Sequence, residues 1–329
     1  MTMLRIAEAL GAGPSSLWPL VKQCGITAAV AGFPHDRQEK PWDYVPLLRM
    51  QRAYQEQDFT VDVIEARPPL ELTKRGLPGR DEEIQEVLIL LESMGKLGIP
   101  VWCYEWMAGL NWVRTSVAKP ARGGAMVTAF DHEALKDAPP PPLGPISEEE
   151  LWENLAYFLD KIVPAAEKWD VKLAMHPDDP PVSPLRGVGR IMSSVENYQR
   201  LLDMHPSDYS GIALCQGNFA LMTEDVPGAI RKFGEQGKIF FVHFRDVKGN
   251  KEKFEEAFHD NGKTDMLACM QAYKDVGFDG VARPDHVPTL SGDTNDRPGY
   301  SSIGRLFAIG YMKGLHEAVY GKQAEKSSN

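Results

Sequence analysis

Four short stretches each place one metal-binding residue type just after an apolar run: His176 in AMHPDDPP, Cys215 in ALCQGN, His243 in FVHFRDV and Asp285 in ARPDH. A divalent ion needs several lone-pair donors at one point, and imidazole, thiolate and carboxylate supply them at different softness. Alone, each residue says little. A histidine at a strand end is usually a hydrogen-bonded structural residue, a single cysteine an inert buried thiol, and Asp285 could cap a following helix. All four, however, fall at the same point of four successive strand-helix units, so convergence on one metal is the economical interpretation. Two histidines, a cysteine and a carboxylate with open positions suit Mn²⁺, Fe²⁺ or Zn²⁺. Beside them stand Arg245 in HFRDV, Arg283 and His286 in RPDH, and Tyr300 in RPGY. Arginine can clamp a substrate carboxylate bidentately, and histidine and tyrosine can pass protons, so the set describes proton chemistry on a small acid. The plainer alternatives are ion pairs for the two arginines, with Asp246 for instance, and packing on a turn for Tyr300.

The elements that would position these residues are legible from periodicity. Short β-branched or apolar runs alternate with longer helical patterns, which argues for repeated βα units around a parallel sheet. The strand candidates are LRIAEA, ITAAVAG, FTVDVIEA, PVWCYEW, VKLAMHP, GIALCQG, IFFVHFR and GVARPDH, eight in all, the count of an α/β (β/α)8 TIM barrel. The first is short and reads as easily as a helical turn. Between them, SEEE (147–150) makes a capping box ahead of LWENLAYFLDKIVPAAEKW. Further helices are expected in DEEIQEVLILLESMGKLG, SSVENYQRLLDM, VPGAIRKFGEQ, DMLACMQAYKDVG and SIGRLFAIGYMKGLHEAVYG. Residues 1–329 are expected to form a single domain. Residues 107–146, with a four-proline run, break the rhythm and predict a long loop insertion after strand 4, either covering substrate or lying on the surface. Residues 322–329 predict a frayed tail.

Composition narrows the function classes. A chain of 329 residues with 43% hydrophobic content can bury a core of barrel size. Its 46 acidic against 36 basic residues give a net charge of −10, which disfavours nucleic acid as a partner. Cysteines 24, 103, 215 and 269 are scattered without a C-x-x-C pair, so a reduced, cytoplasmic setting is expected. No apolar run approaches the roughly 20 residues of a membrane helix. Barrels of this kind often self-associate, so a homo-oligomer is admitted.

With these motifs the chain resembles the mannonate dehydratase family of metal-dependent sugar-acid lyases, among the xylose-isomerase-like TIM barrels. The resemblance runs from GLPGRD (76–81) through WVRTS (112–116), HPDDPP, CQGN, HFR and FHDNGKTDM (258–266) to RPDH and PGY. It implies that His176, Cys215, His243 and Asp285 hold Mn²⁺ or Fe²⁺. It implies that His286 and Tyr300 are the acid/base pair with Arg283 beside the substrate. It further implies a hydro-lyase that converts D-mannonate to 2-keto-3-deoxy-D-gluconate in carbohydrate metabolism. Arg114 of WVRTS, Arg245 and Asn218 complete an expected substrate-binding set.

The chain departs from the family pattern at four places. Val287 follows RPDH where Gly is usual, Asp246 follows HFR where Asn is common, Asn218 replaces Ser after CQG, and LRIAEALGAG replaces an Arg-Trp-Tyr type motif. The alternatives are a dehydratase of another aldonic or uronic acid, an isomerase or epimerase using Glu65 and Glu105 at the ends of strands three and four, and a sugar-acid binder that has lost turnover through crowding of His286. A phosphodiester-cleaving barrel fits poorly with the acidic balance and a thiol ligand.

Overall fold

The structure is a computed structural model that describes residues 3–35 and 38–322. The first half of the chain runs β1 (Arg5–Leu10), α1 (Leu17–Gln23), β2 (Ala28–Ala31), α2 (Tyr44–Gln55), β3 (Thr60–Ile64), α3 (Glu71–Lys74), α4 (Arg80–Leu97) and β4 (Val101–Tyr104). A hairpin of β5 (Ser116–Pro120) and β6 (Met126–Asp131) follows, then α5 (Glu148–Trp169) and β7 (Lys172–Met175). Next come α6 (Val195–Met204), β8 (Ser210–Cys215), α7 (Gln216–Met222), α8 (Val226–Gly234) and β9 (Ile239–Phe244). A second hairpin, β10 (Val247–Asn250) and β11 (Lys253–Glu256), precedes α9 (Met266–Asp275), β12 (Val281–Pro284) and α10 (Ser302–Tyr320).

Eight strands close into a parallel barrel in the order β1-β12-β9-β8-β7-β4-β3-β2, and they are the eight read from the sequence. The segment most easily taken for a helical turn, β1, is the strand that closes the ring, pairing with β2 and β12. The capping box at the start of α5 forms as expected, with the Glu150 amide donating to Ser147 Oγ at 3.2 Å and the Ser147 amide donating to Glu150 Oε2 at 2.9 Å.

Period-two alternation decides what the barrel can present. A small inner cluster contains Val63, Cys103, Ala174, Ala213, Phe241 and Val281. Successive side chains of a strand point to opposite faces. The residues two positions further on, Glu65, Glu105, His176, Cys215, His243 and Arg283, therefore share the inward direction and form the next layer up. Register aligns that layer across strands, with Cys215 opposite His243 on β8 and β9, and His243 opposite Arg283 on β9 and β12. Larger apolar residues such as Trp102, Leu155, Phe158 and Phe219 fill a separate cluster with the surrounding helices.

The insertion after the fourth barrel strand lies where it was expected, but part of it is ordered as sheet. Its strands β5 and β6 join β10 and β11 in a four-stranded antiparallel sheet of order β10-β11-β6-β5. MVTAFD (126–131) has the β-branched and aromatic content for this, and the exposed edge β5 carries Lys119 and Pro120, residues that block further pairing. The run Pro139–Pro142 stays outside any helix or strand. Of the expected tail, residues 323–329 lie outside the described residues.

Phe130 of β6, 1% exposed, packs on Phe254 of β11 with ring centroids 5.6 Å apart. Phe130→Ala should lower stability by about 3–5 kcal/mol and speed proteolysis within 107–146, with the barrel's far-UV dichroism kept. An unchanged unfolding midpoint and unchanged cleavage would show that this sheet is not consolidated with the barrel.

Candidate metal centre and active site

His176, Cys215 and His243 bring one donor atom each within 4.8 Å of one another. His176 Nδ1 lies 2.8 Å from the Pro177 carbonyl, which can only accept, so the proton sits on Nδ1 and Nε2 is a bare lone pair. That Nε2 is 3.1 Å from His243 Nδ1. On the other side of the His243 ring, Nε2 approaches Glu65 Oε1 at 3.1 Å, so a proton there faces a carboxylate. The two histidines thus aim lone pairs at each other, an arrangement that needs a positive charge between them. Burial and Arg283 oppose protonation of His243, but Glu65 and Asp285 outweigh them and push it up to about 10.

Cys215 is fully buried, and its thiol lies 3.1 Å from Asn218 Oδ1. Burial resists ionisation, yet Arg245 and the adjacent His176 and His243 rings bring the thiol down to about 6. Asp285 stands beside this trio with Oδ2 3.5 Å from His243 Nδ1. Its Oδ1 accepts from Arg283 Nη1 at 2.8 Å and from the Tyr300 hydroxyl at 3.2 Å. Once an ion displaces the proton between the rings, two neutral imidazoles, a thiolate and an adjacent carboxylate match the donor preferences of a borderline divalent ion. The residues fit a metal.

A second layer of charge encloses His286. This residue has φ +44°, a strained backbone value for a non-glycine. Its Nδ1 lies 2.6 Å from Arg245 Nη1, 3.1 Å from Glu256 Oε1 and 3.4 Å from Arg114 Nη2. An N–H donor at 2.6 Å requires a lone pair on Nδ1, which assigns the ring proton to Nε2. Asp179 joins the two arginines, accepting from Arg114 Nη1 at 2.6 Å and from Arg245 Nη1 at 2.9 Å. Arg114 and Asp179 come from outside the strands, while Glu256 comes from β11. Trp112 and Tyr300 flank His286 with ring centroids 5.2 and 5.5 Å away.

A cavity of about 420 Å³ opens above the layer, lined by Glu65, Arg67, Glu105, Trp112, His176, His243, Asp285, His286 and Tyr300 among others. Arg245 and Arg114, expected at the substrate, have side chains that are 0% exposed and are ion-paired with Asp179 and Glu256 beside His286, although Arg114 Nε and Arg245 Nε and Nη2 form no hydrogen bond. Gly217 leaves room for the Arg245 guanidinium, which a Cβ there would strike. Asn218 is buried too, donating to the Asp178 carbonyl at 2.6 Å and so bracing Cys215 from below. Arg283 lines the cavity, but its donors are taken by Glu65, Asp285 and the Pro284 carbonyl.

Sequence reasoning gave no role to Asp179, although it lies in the quoted HPDD motif, and it left out Glu256, which carries no local signal. Lys74, also unremarked, is fully buried with Nζ 2.8 Å from Glu105 Oε1, and Arg67 pairs with the same carboxylate. Burial pulls Lys74 down to about 8 despite Glu105. Val287, the departure next to His286, turns toward α10, where its methyl group occupies the space a Cβ on Gly304 would need.

A profile of the family described as D-mannonate dehydratase (UxuA) matches residues 10–144 and 143–326. The mannonate dehydratase of Thermotoga neapolitana is 33% identical over 313 residues, which cover 84% of this chain and 86% of that protein. A solved mannonate dehydratase from Streptococcus suis serotype 2 superposes with a TM-score of 0.90 at 29% identity, over 100% of this chain and 99% of that one. A solved L-ribulose 3-epimerase superposes with a TM-score of 0.63 at 14% identity, over 99% of this chain and 100% of that one, a likeness of fold alone.

Ionisation of Cys215 can be read directly. In metal-stripped protein, ultraviolet thiolate absorbance should rise with a midpoint near pH 6, where the thiol is held at about 6, and Cys215→Ser should remove that step. The folded thiol ionises below its ordinary value, so its contribution to stability is fully present only above the unfolded value of 9.0 and is lost as pH falls through about 6. A single thiolate step above pH 8 would refute the local electrostatics described.

Proposed function

The chain belongs to the D-mannonate dehydratase family, and from that premise we propose that it is a metal-dependent hydro-lyase taking D-mannonate to 2-keto-3-deoxy-D-gluconate. The observation that carries this is the pair of facing imidazole nitrogens 3.1 Å apart, on histidines that line the cavity, with the Cys215 thiol, held at about 6, buried beside them. His176, Cys215, His243 and Asp285 are the residues that would hold the ion, Mn²⁺ or Fe²⁺ in this proposal. Bound there, it supplies Lewis acidity for the negative charge that develops beside the substrate carboxylate.

The rest is work for the protein's own groups. Dehydration removes the proton on C2 and expels the C3 hydroxyl with a proton; the enol left behind becomes the 2-keto product. His286 and Tyr300 border the cavity and are the two groups that can move those protons. His286 offers Nε2–H to the cavity, because Nδ1 is committed to Arg245. Tyr300 keeps its proton as well, since burial and then Asp285 push its phenol well above the usual range. Both groups rest in the donor state, and one of them must yield its proton as substrate binds. The rings of Trp112 and Tyr300 shield His286 from water, which strengthens the local electrostatics.

An isomerase would favour a metal held chiefly by carboxylates. Here Glu65 is forked by Arg283, and Glu105 is held by Lys74 and Arg67, so neither carboxylate is free for that work. A reduced, cytoplasmic setting belongs to the same proposal, supported by four free cysteines; none of the described helices is long and apolar enough to cross a membrane.

Mn²⁺-loaded protein should form 2-keto-3-deoxygluconate from D-mannonate in an anaerobic assay, and Cys215→Ala should lose metal and turnover together. A filled site with no product would redirect the search to other sugar acids. His286→Asn and Tyr300→Phe should each retain metal while losing at least about 10²-fold in rate. Exchange of the C2 proton with solvent deuterium assigns their roles: the variant that still exchanges lacks the acid, and the one that does not lacks the base. Near-normal turnover in either variant would remove that residue from the chemistry.

A further inference from the structure

Glu65 takes no part in the proton transfers above, yet it is a tightly held carboxylate at the cavity wall. Arg283 donates to it twice, from Nη2 at 2.7 Å and from Nε at 2.9 Å. The same guanidinium reaches Asp285 Oδ1 with Nη1 at 2.8 Å. Glu65 Oε1 lies 3.1 Å from His243 Nε2, a buried nitrogen with no formed hydrogen bond, and a small rotation of the ring completes one. His176 has a simpler counterpart, the Pro177 carbonyl on its own Nδ1.

We propose that Glu65 is the positioning residue for the metal-holding edge of His243. By accepting the Nε2 proton it fixes the tautomer that leaves Nδ1 bare toward His176, and it sets the angle of the ring. A histidine ligand commonly gives its other ring N–H to a carboxylate in this way. Arg283 is then the clamp that holds Glu65 and Asp285 in fixed relation, one behind a ligand and the other beside it. A glutamine would fail at the same place, because its amide N–H₂ must face either the guanidinium or the imidazole N–H. All this rests on the assignment of His243 as a ligand.

The same atoms admit one competing use. Glu65, Cys103 and His243 also place a donor atom each within 4.8 Å of one another, a second potential cation site. Arg283 opposes it: its positive charge already occupies both oxygens of Glu65, and a divalent ion would sit against that charge in a medium of low dielectric.

Titration of the apo-protein with Co²⁺, following the thiolate-to-metal absorption band and bound metal per chain, separates these cases. Glu65→Gln should bind about 10- to 100-fold more weakly with the band unchanged in position, while His243→Ala should lose tight binding. A purely structural role for Glu65 would lower the melting temperature of the apo-protein and leave the affinity of the folded fraction at the wild-type value, which overturns the proposal. Wild-type affinity in His243→Ala would instead overturn the ligand assignment, and the proposal with it. A second equivalent of metal that disappears in Cys103→Ser would show that the inner trio is itself a site, against the proposal. Should Glu65→Gln not fold, Arg283→Lys decides: it keeps the charge but not the fork, and weaker Co²⁺ binding supports the clamp whereas wild-type affinity rejects it.

Discussion

Two imidazole nitrogens facing each other across 3.1 Å set the terms for everything around them. Lone pairs so placed repel unless a positive charge lies between them, and the neighbouring groups keep the demand in place. The Pro177 carbonyl holds the His176 proton on the far nitrogen, and Glu65 stands behind the far nitrogen of His243. Cys215 adds a thiol that Arg245 and the two histidines bring down to about 6, against the effect of burial. A proton can serve between the rings, but a divalent ion serves better, because it also satisfies the thiolate. Metal binding is therefore coupled to proton release from this layer.

The layer is affordable only because the buried charges around it are paired. Arg114, Arg245 and Arg283 are matched by Asp179, Glu256, Glu65 and Asp285 within the same cluster. Such pairs contribute little net stability, since desolvation offsets the attraction, but removing one partner is costly. What they provide is geometry. Arg245 holds the Nδ1 edge of His286, and the carboxylate on that edge arrives from β11, a strand of the accessory sheet. The insertion contributes Arg114 and Trp112 to the same wall. It is thus tied into the interior of the site and is more than a cover over it.

Much of this was legible in the sequence because two periodicities survive folding intact. Alternation along a strand is local, so the eight barrel strands and the layer holding His176, Cys215 and His243 could be read from short runs. The helix between residues 148 and 169 could be read from its capping box and apolar spacing. Non-local pairing was not legible. Strand β6 pairs locally with β5, but its other edge is taken by β11, more than a hundred residues later, and only that pairing ties the hairpin into the four-stranded sheet. Helices α1, α2, α3 and α7 escaped notice for a related reason: each is short or weakly patterned and depends on packing against the barrel. The arginines mark the same limit. Residue type alone suggests a carboxylate clamp for Arg114 and Arg245, while burial and partners are what make them supports for His286.

The barrel is shared with sugar epimerases, so the fold does not choose the reaction. The choice lies in which carboxylates are free. Moving a proton from one face of a carbon to the other calls for basic groups on both sides of the substrate. Here Glu65 and Glu105, which end β3 and β4 where such bases would stand, are each locked to cations; Glu105 is held down to about 2 by Lys74 and Arg67, even though burial opposes this. Locked carboxylates hold the wall and do not accept protons at neutral pH. The groups proposed to handle protons, His286 and Tyr300, both lie against Asp285. Taking a proton and protonating a departing hydroxyl on an adjacent carbon needs two such groups within reach of one edge of the substrate. In the proposed reaction the elimination of water makes that demand, and it falls on the side chains at the barrel's mouth, not on a fold that serves other chemistry as well.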